Sequence, residues 1–156
     1  MIERRDKWSV GEWMTSNPVT VGPDCPVKSA FHRMRAENFR HLIVVDGDEL
    51  VGIVTDRDLR RPDISAEPDA WNDSYNPDER YEVRYVMTTN VYTVSPQDPL
   101  EKALKMLIDN KVGALPVVDK HGAAIGILSA HDVLRAFDAA LAANGNLLRY
   151  QPATRD

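Results

Sequence analysis

Hydrophobic positions along the chain fall into two matching halves. Val27, Ala30, Phe31 and Met34 occur at i, i+3, i+4 and i+7, and Leu100, Ala103, Leu104 and Leu107 repeat the spacing. An α-helix turns once in 3.6 residues, so this spacing predicts two helices, each with one buried face. Pro26 and Pro99 precede them at a first-turn position, where a missing N–H costs nothing, and Asp98 offers an N-cap carboxylate in the second half. The runs Leu42 to Val45, Leu50 to Val54, Leu115 to Val118 and Ala124 to Leu128 are short and β-branched, and read as buried strands. Asp46-Gly47-Asp48 and Lys120-His121-Gly122 carry turn chemistry between them. A second helix is predicted after each strand pair; the later one runs from about Ala130 through Ala143 and stops at Asn144-Gly145.

The two halves are copies. Val10-Gly-Glu-Trp-Met14-Thr15 returns as Val83-Arg-Tyr-Val-Met87-Thr88, and Asn17-Pro-Val-Thr20-Val21 as Asn90-Val-Tyr-Thr93-Val94. His41-Leu-Ile-Val-Val-Asp46 returns as Ala114-Leu-Pro-Val-Val-Asp119 in the same register. The register then slips by one residue, so that Gly52-Ile-Val-Thr55-Asp-Arg-Asp58 aligns with Gly126-Ile-Leu-Ser129-Ala-His-Asp132. A hairpin tip is where such an insertion disturbs least. The expected fold is α/β, with tandem β-α-β-β-α repeats at 8–60 and 82–143 packed sheet to sheet about a pseudo-two-fold axis. Neither copy alone is large enough for a comfortable core. Residues 61–81 form an acidic, Pro-rich linker that Trp71, Tyr75 and Tyr81 can pack back on the repeats, and 144–156 a C-terminal tail.

Composition narrows the class. With 43% hydrophobic and 28% charged residues, a mean hydropathy of -0.39 and a net charge of -5, the chain reads as soluble and globular. The acidic balance and pI near 5.4 disfavour a nucleic-acid or anionic-membrane partner. The amino terminus lacks an apolar run of signal length, and no stretch approaches the roughly 20 residues of a membrane helix. The lone Cys25 excludes an internal disulfide, so a cytoplasmic location is expected. Near a helix start its thiol is expected to be acidified if exposed, but it has no His partner. Trp8, Trp13 and Trp71 read as packing anchors. His32, His41, His121 and His131 are scattered, and no catalytic or metal constellation emerges.

The Val-x-x-Met-Thr opening, the Thr-Val before the first helix, the Leu-Pro-Val-Val-Asp strand and the Gly-hydrophobic-x-[Ser/Thr]-x-x-Asp segment occur in that order. Together they resemble the CBS domain family, and the chain reads as a stand-alone CBS pair, or Bateman module. The resemblance implies a disc-like, non-enzymatic regulatory module, a homodimer formed through helical faces, that binds AMP, ADP or ATP between its repeats and signals to an unknown effector protein. S-adenosylmethionine and NAD(H) are further candidate ligands, and no cofactor is required. By position, Asp58 and Asp132 would hold ribose hydroxyls, with Thr55 and Ser129 near phosphate. The base would lie near Thr20, Val21, His41 and Ile43 in copy one, and near Thr93, Val94, Ala114 and Pro116 in copy two. Ile43 departs from the proline of the second copy.

The residues support this chemistry independently. A hydroxyl where a strand meets a helix lies beside free N–H groups suited to phosphate, and a carboxylate one turn on can accept two ribose O–H bonds. Arg57 would add a charge-assisted phosphate contact, with His131 in its place in copy two. Ser/Thr-x-x-Asp is equally a helix capping box that needs no ligand, and an interaction module without a functional nucleotide site remains the alternative. A nucleotide hydrolase would need a carboxylate cluster beside the phosphates.

Overall fold

The computed structural model describes residues 7–60 and 81–144. The readings at Trp71, Tyr75 and the tail lie outside the described residues. The elements of the first half are α1 (Val10–Trp13), β1 (Thr15–Ser16), β2 (Thr20–Val21), α2 (Val27–Glu37), β3 (His41–Asp46) and β4 (Glu49–Thr55). A 3-10 turn over Asp58–Arg60 ends this half and another, Val83–Tyr85, opens the second, which continues with α3 (Leu100–Asn110), β5 (Ala114–Val118), β6 (Ala124–Ser129) and α4 (Ala130–Asn144).

Helix α2 buries all four of its predicted apolar positions; α3 buries Leu100, Ala103 and Leu107 but leaves Leu104 41% exposed. Pro26 and Pro99 sit at the N-cap, one residue before the expected first turn. Asp98 is therefore too early to cap α3; its carboxylate instead accepts the Ser95 N–H and a bond from Lys102 Nζ, both at 2.9 Å. Both helices end on a left-handed residue, Asn38 at φ 56° and Lys111 at φ 53°. The second helix expected after β4 is only a 3-10 turn within the described residues. In the sequence Pro62 follows closely and disfavours an α conformation in the residue before it.

One sheet has the order β2-β3-β4 and the other β1-β6-β5. The slip falls where expected: Asp46 pairs with Glu49 around Gly47, whereas Asp119 N–H bonds the Ala123 carbonyl around a loop one residue longer. Leu42, Val44 and Val54 face α2 in one core, and Leu115, Val117 and Leu128 lie with α3 and α4 residues in the other. By strand alternation Ile43 and Pro116, also buried, lie on the opposite faces, where the sheets cover each other.

The opening of each repeat belongs to the core of the other. Val10 is fully buried in the second core, with Trp13 and Met14 packed against it; Val83 and Val86 are buried in the first, with Met87 against them. The bonds repeat as pairs. Val10 N–H bonds the Asp98 carbonyl at 2.9 Å as Val83 N–H bonds that of Cys25 at 2.8 Å. Leu100 N–H bonds the Trp8 carbonyl at 2.8 Å as Val27 N–H bonds that of Tyr81 at 2.7 Å. Thr15 pairs with Ile127 of β6, and Thr88 with Ile53 of β4.

Glycine permits each crossing. A Cβ on Gly52 would meet Met87 Sδ at 2.6 Å and the Thr88 carbonyl oxygen at 3.1 Å; on Gly126 it would meet Met14 Sδ at 2.6 Å and the Thr15 oxygen at 3.0 Å. Trp8 and Trp13 stack at 6.1 Å beside the second core, and Tyr81 packs against the first. No helix among the described residues is long and apolar enough to cross a membrane.

Candidate functional site

Thr55 closes β4 and Ser129 closes β6. Thr55 Oγ1 accepts the Asp58 N–H at 3.1 Å, while Asp58 Oδ2 accepts the Thr55 N–H at 2.9 Å and its hydroxyl at 2.8 Å. Ser129 and Asp132 repeat the three bonds at 3.2, 2.8 and 2.8 Å. This reciprocal exchange is that of a capping box, so the structural reading of Ser/Thr-x-x-Asp is realised in both copies. In both copies it is Oδ2 that closes the box. The other oxygen of Asp132 lies 3.5 Å from Arg135 Nη1.

Each box borders a cleft whose far wall is the other repeat. The first cleft, about 430 Å³, is lined by Thr55, Arg57 and Asp58 on one side and by Asn90, Tyr92 and Lys111 on the other. The second, about 730 Å³, is lined by Ser129, His131 and Asp132 facing Asn17, Val19 and Asn38. Arg40, His41 and Gly113 line both. The exchanged openings create these walls: bonding Thr88 to Ile53 carries Asn90 and Tyr92 over to the end of β4.

His41 sits where the repeats meet. A Cβ on Gly113 would lie 2.9 Å from its Nε2. Burial pushes the imidazole below its ordinary value, against the upward pull of Asp56 and Asp58, and Arg40 adds to the depression. Cys25 is partly buried, so the condition for an acidified thiol is not met: burial pushes its thiol up, and Asp24 adds to this. Among the described residues no group of three or more His, Cys, Asp or Glu gathers as a metal site.

The model of the CBS domain matches the chain twice, over residues 10–63 and 83–139. The chain belongs to the CBS domain family. This CBS pair is 33% identical over 127 residues to a CBS domain-containing protein of Dictyostelium discoideum, covering 80% of the chain and 88% of that relative. CBSX2, solved in complex with AMP, is 32% identical with a TM-score of 0.69, covering 88% of this chain and 98% of that one. The cytosolic domain of the Mg2+ channel MgtE, solved with ATP, is 27% identical with a TM-score of 0.65, covering 85% and 50%. The chain spans 61% of a Methanopyrus kandleri relative and 22% of an inosine-5'-monophosphate dehydrogenase of Methanocaldococcus jannaschii.

Within the CBS pair, the residues carried over by motif divide into two groups. Thr55, Arg57, Asp58, His41 and Ala114 meet in the first cleft; Ser129, His131, Asp132 and His41 meet in the second. Ala114 thus joins the acid of the other copy, because β5 faces across the interface. Val21, Ile43, Val94 and Pro116 are buried and are not among the residues that line these two clefts. Thr20 also lies outside them, its carbonyl accepting a bond from Arg33 at 3.1 Å, and Thr93 borders a separate depression with Asp48 and His121. The residues just upstream, Asn17 to Val19 and Asn90 to Tyr92, line the clefts instead. Lys111 also escaped the motif reading: it stands at a helix end, and only the packing of one repeat on the other brings it to Arg57.

Proposed function

We propose that this CBS pair is a regulatory, non-catalytic module that binds an adenosine nucleotide (AMP, ADP or ATP) in the clefts between its repeats and signals occupancy to a partner protein. The observation that carries this reading is the duplicated Ser/Thr-x-x-Asp turn, each copy opening on a cleft whose other wall comes from the opposite repeat. Ribose hydroxyls would donate to Asp58 or Asp132, and phosphates would lie toward Thr55 and Arg57 or Ser129 and His131. The AMP bound by CBSX2 and the ATP bound by MgtE support the ligand class. S-adenosylmethionine and NAD(H) share the adenosyl group and belong to the same set. A ligand touching both walls shifts any equilibrium between two arrangements of the repeats by its difference in affinity for them, which is the signal a partner reads.

The module acts in the cytoplasm as a homodimer. Trp8, Leu104 and Phe137 border an apolar groove between α3 and α4, with Ile108 64% and Leu134 63% exposed beside it, a face suited to a second copy. An interaction module built on this face alone is the second reading. Equilibrium dialysis with labelled AMP and ATP separates the two. Nucleotide sensing predicts saturable binding that falls at least tenfold in Asp58→Asn or Asp132→Asn; a folded dimer that binds neither nucleotide supports the second reading.

A further inference from the structure

The internal two-fold relation makes the two clefts comparable position by position, and their differences concern charge. Arg57 of the first corresponds to His131 of the second, and Lys111 at the left-handed end of α3 to Asn38 at the left-handed end of α2. Asp56 corresponds to Ala130. The first cleft therefore sets Arg40, Arg57 and Lys111 against Asp56 and Asp58. Among the described residues that line the second, Arg40 is the one Lys or Arg, Asp132 lines the same cleft, and Arg135 from outside the lining lies 3.5 Å from that carboxylate.

The cations of the first cleft arrive from both sides, Arg57 after β4 and Lys111 from the end of α3. A chain of two or three phosphates is an extended anion that gains from donors spread along its length, and charge-assisted bonds are roughly twice as strong as neutral ones. A monophosphate gains from fewer of them, and an uncharged 5'-substituent from none. The second cleft is the roomier, about 730 Å³ against about 430 Å³, and both have apolar wall, from Pro18, Val19 and Phe39 in the second and from Ile53, Val91 and Val112 in the first. What separates them is the supply of cations, and the cleft with fewer suits a ligand whose 5'-group carries little charge.

We propose that the two clefts sort adenosine ligands by charge: the cleft of Arg57 and Lys111 takes a nucleoside di- or triphosphate, and the cleft of Asn38 and His131 takes an adenosyl ligand with one phosphate or none. This rests on the nucleotide reading above. The module would then report the balance of two ligands rather than the concentration of one. Arg57 and Lys111 belong to different repeats, so a polyphosphate between them ties the repeats together.

The repeat supplies its own test, because each cleft can be given the residues of the other. Arg57→His with Lys111→Asn places in the first cleft what the second already carries, and Asn38→Lys with His131→Arg does the reverse. Each substitution installs a residue that the corresponding position tolerates, including at the left-handed helix ends. Calorimetric titrations of the full chain with ATP, AMP and 5'-methylthioadenosine at pH 8 read the result. The first exchange is expected to lower ATP affinity by about tenfold to a hundredfold while leaving 5'-methylthioadenosine within twofold. The reverse exchange is expected to add a second ATP site. Arg57→Gln, at an exposed position, gives a smaller loss of ATP affinity and serves if the double variant folds poorly. Unchanged ATP affinity in the exchanged protein, with AMP or ATP still bound, overturns the sorting alone. Failure of all three ligands to bind the unaltered chain overturns the nucleotide reading with it.

Discussion

Gly52 and Gly126 show how one residue type can hold a topology. The strand crossing each of them passes so close that a methyl group would press on both a methionine sulfur and a backbone oxygen, at 3.1 and 3.0 Å respectively. The sulfur can swing aside; the strand carrying the oxygen is held by the bridge itself. Gly52→Ala and Gly126→Ala are each expected to cost about 1–3 kcal/mol, the usual range for overpacking, measured by urea denaturation. A cost near zero would mean that the crossings are looser than described. His41 makes a prediction of opposite character. Its imidazole takes up a proton less readily folded than unfolded, so stability is highest above its ordinary value of 6.5 and falls as pH drops toward the folded value. His41→Ala, the residue its counterpart Ala114 already has, should flatten that part of the stability-pH curve. Equal slopes in both proteins would sink this assignment.

At the scale of elements, local periodicity was enough to place α2, α3 and the strands β3 to β6, because burial of one face is written at fixed spacings. Capping was harder to read: Asp98 is the right residue type, but Pro99 takes the cap position and leaves the carboxylate to Ser95 and Lys102. The two halves also differ in what their helices show to solvent. Ile108 and Leu134 are exposed and apolar, whereas their counterparts in the first repeat are Arg35 and Arg60, both near the Phe31 ring at 5.9 and 5.3 Å. If the second repeat carries the dimer, Ile108→Glu with Phe137→Glu should yield a folded monomer in light scattering. A dimer that persists would place the interface elsewhere.

At the scale of the whole molecule, the exchange of openings decides both stability and site. Val10 fills the second core although it lies in the first repeat of the sequence, so Val10→Ala should cost about 2 kcal/mol through that core. Loss of amide-exchange protection should fall first on α3 and β5 rather than on α2 and β3. This exchange is also why the site was only half legible. Asp58, Thr55 and their counterparts lie on one continuous motif, but Asn90 and Tyr92 reach the first cleft only through the crossing, and Lys111 only through the packing of one repeat on the other, neither of which a local pattern records. Thr20 and Val21 form β2 and Val94 bridges to Val117 of β5, while the residues before them, Asn17 to Val19 and Asn90 to Tyr92, turn into the clefts. The central claim is that these clefts hold an adenosine nucleotide, and thermal unfolding of the full chain with and without AMP, ADP and ATP tests it most directly. At about 100 times the dissociation constant a ligand should add roughly 2.7 kcal/mol of stability, raising the midpoint by several degrees, with the rise reduced in Asp58→Asn or Asp132→Asn. A midpoint unmoved by any of the three at millimolar concentration would contradict the account.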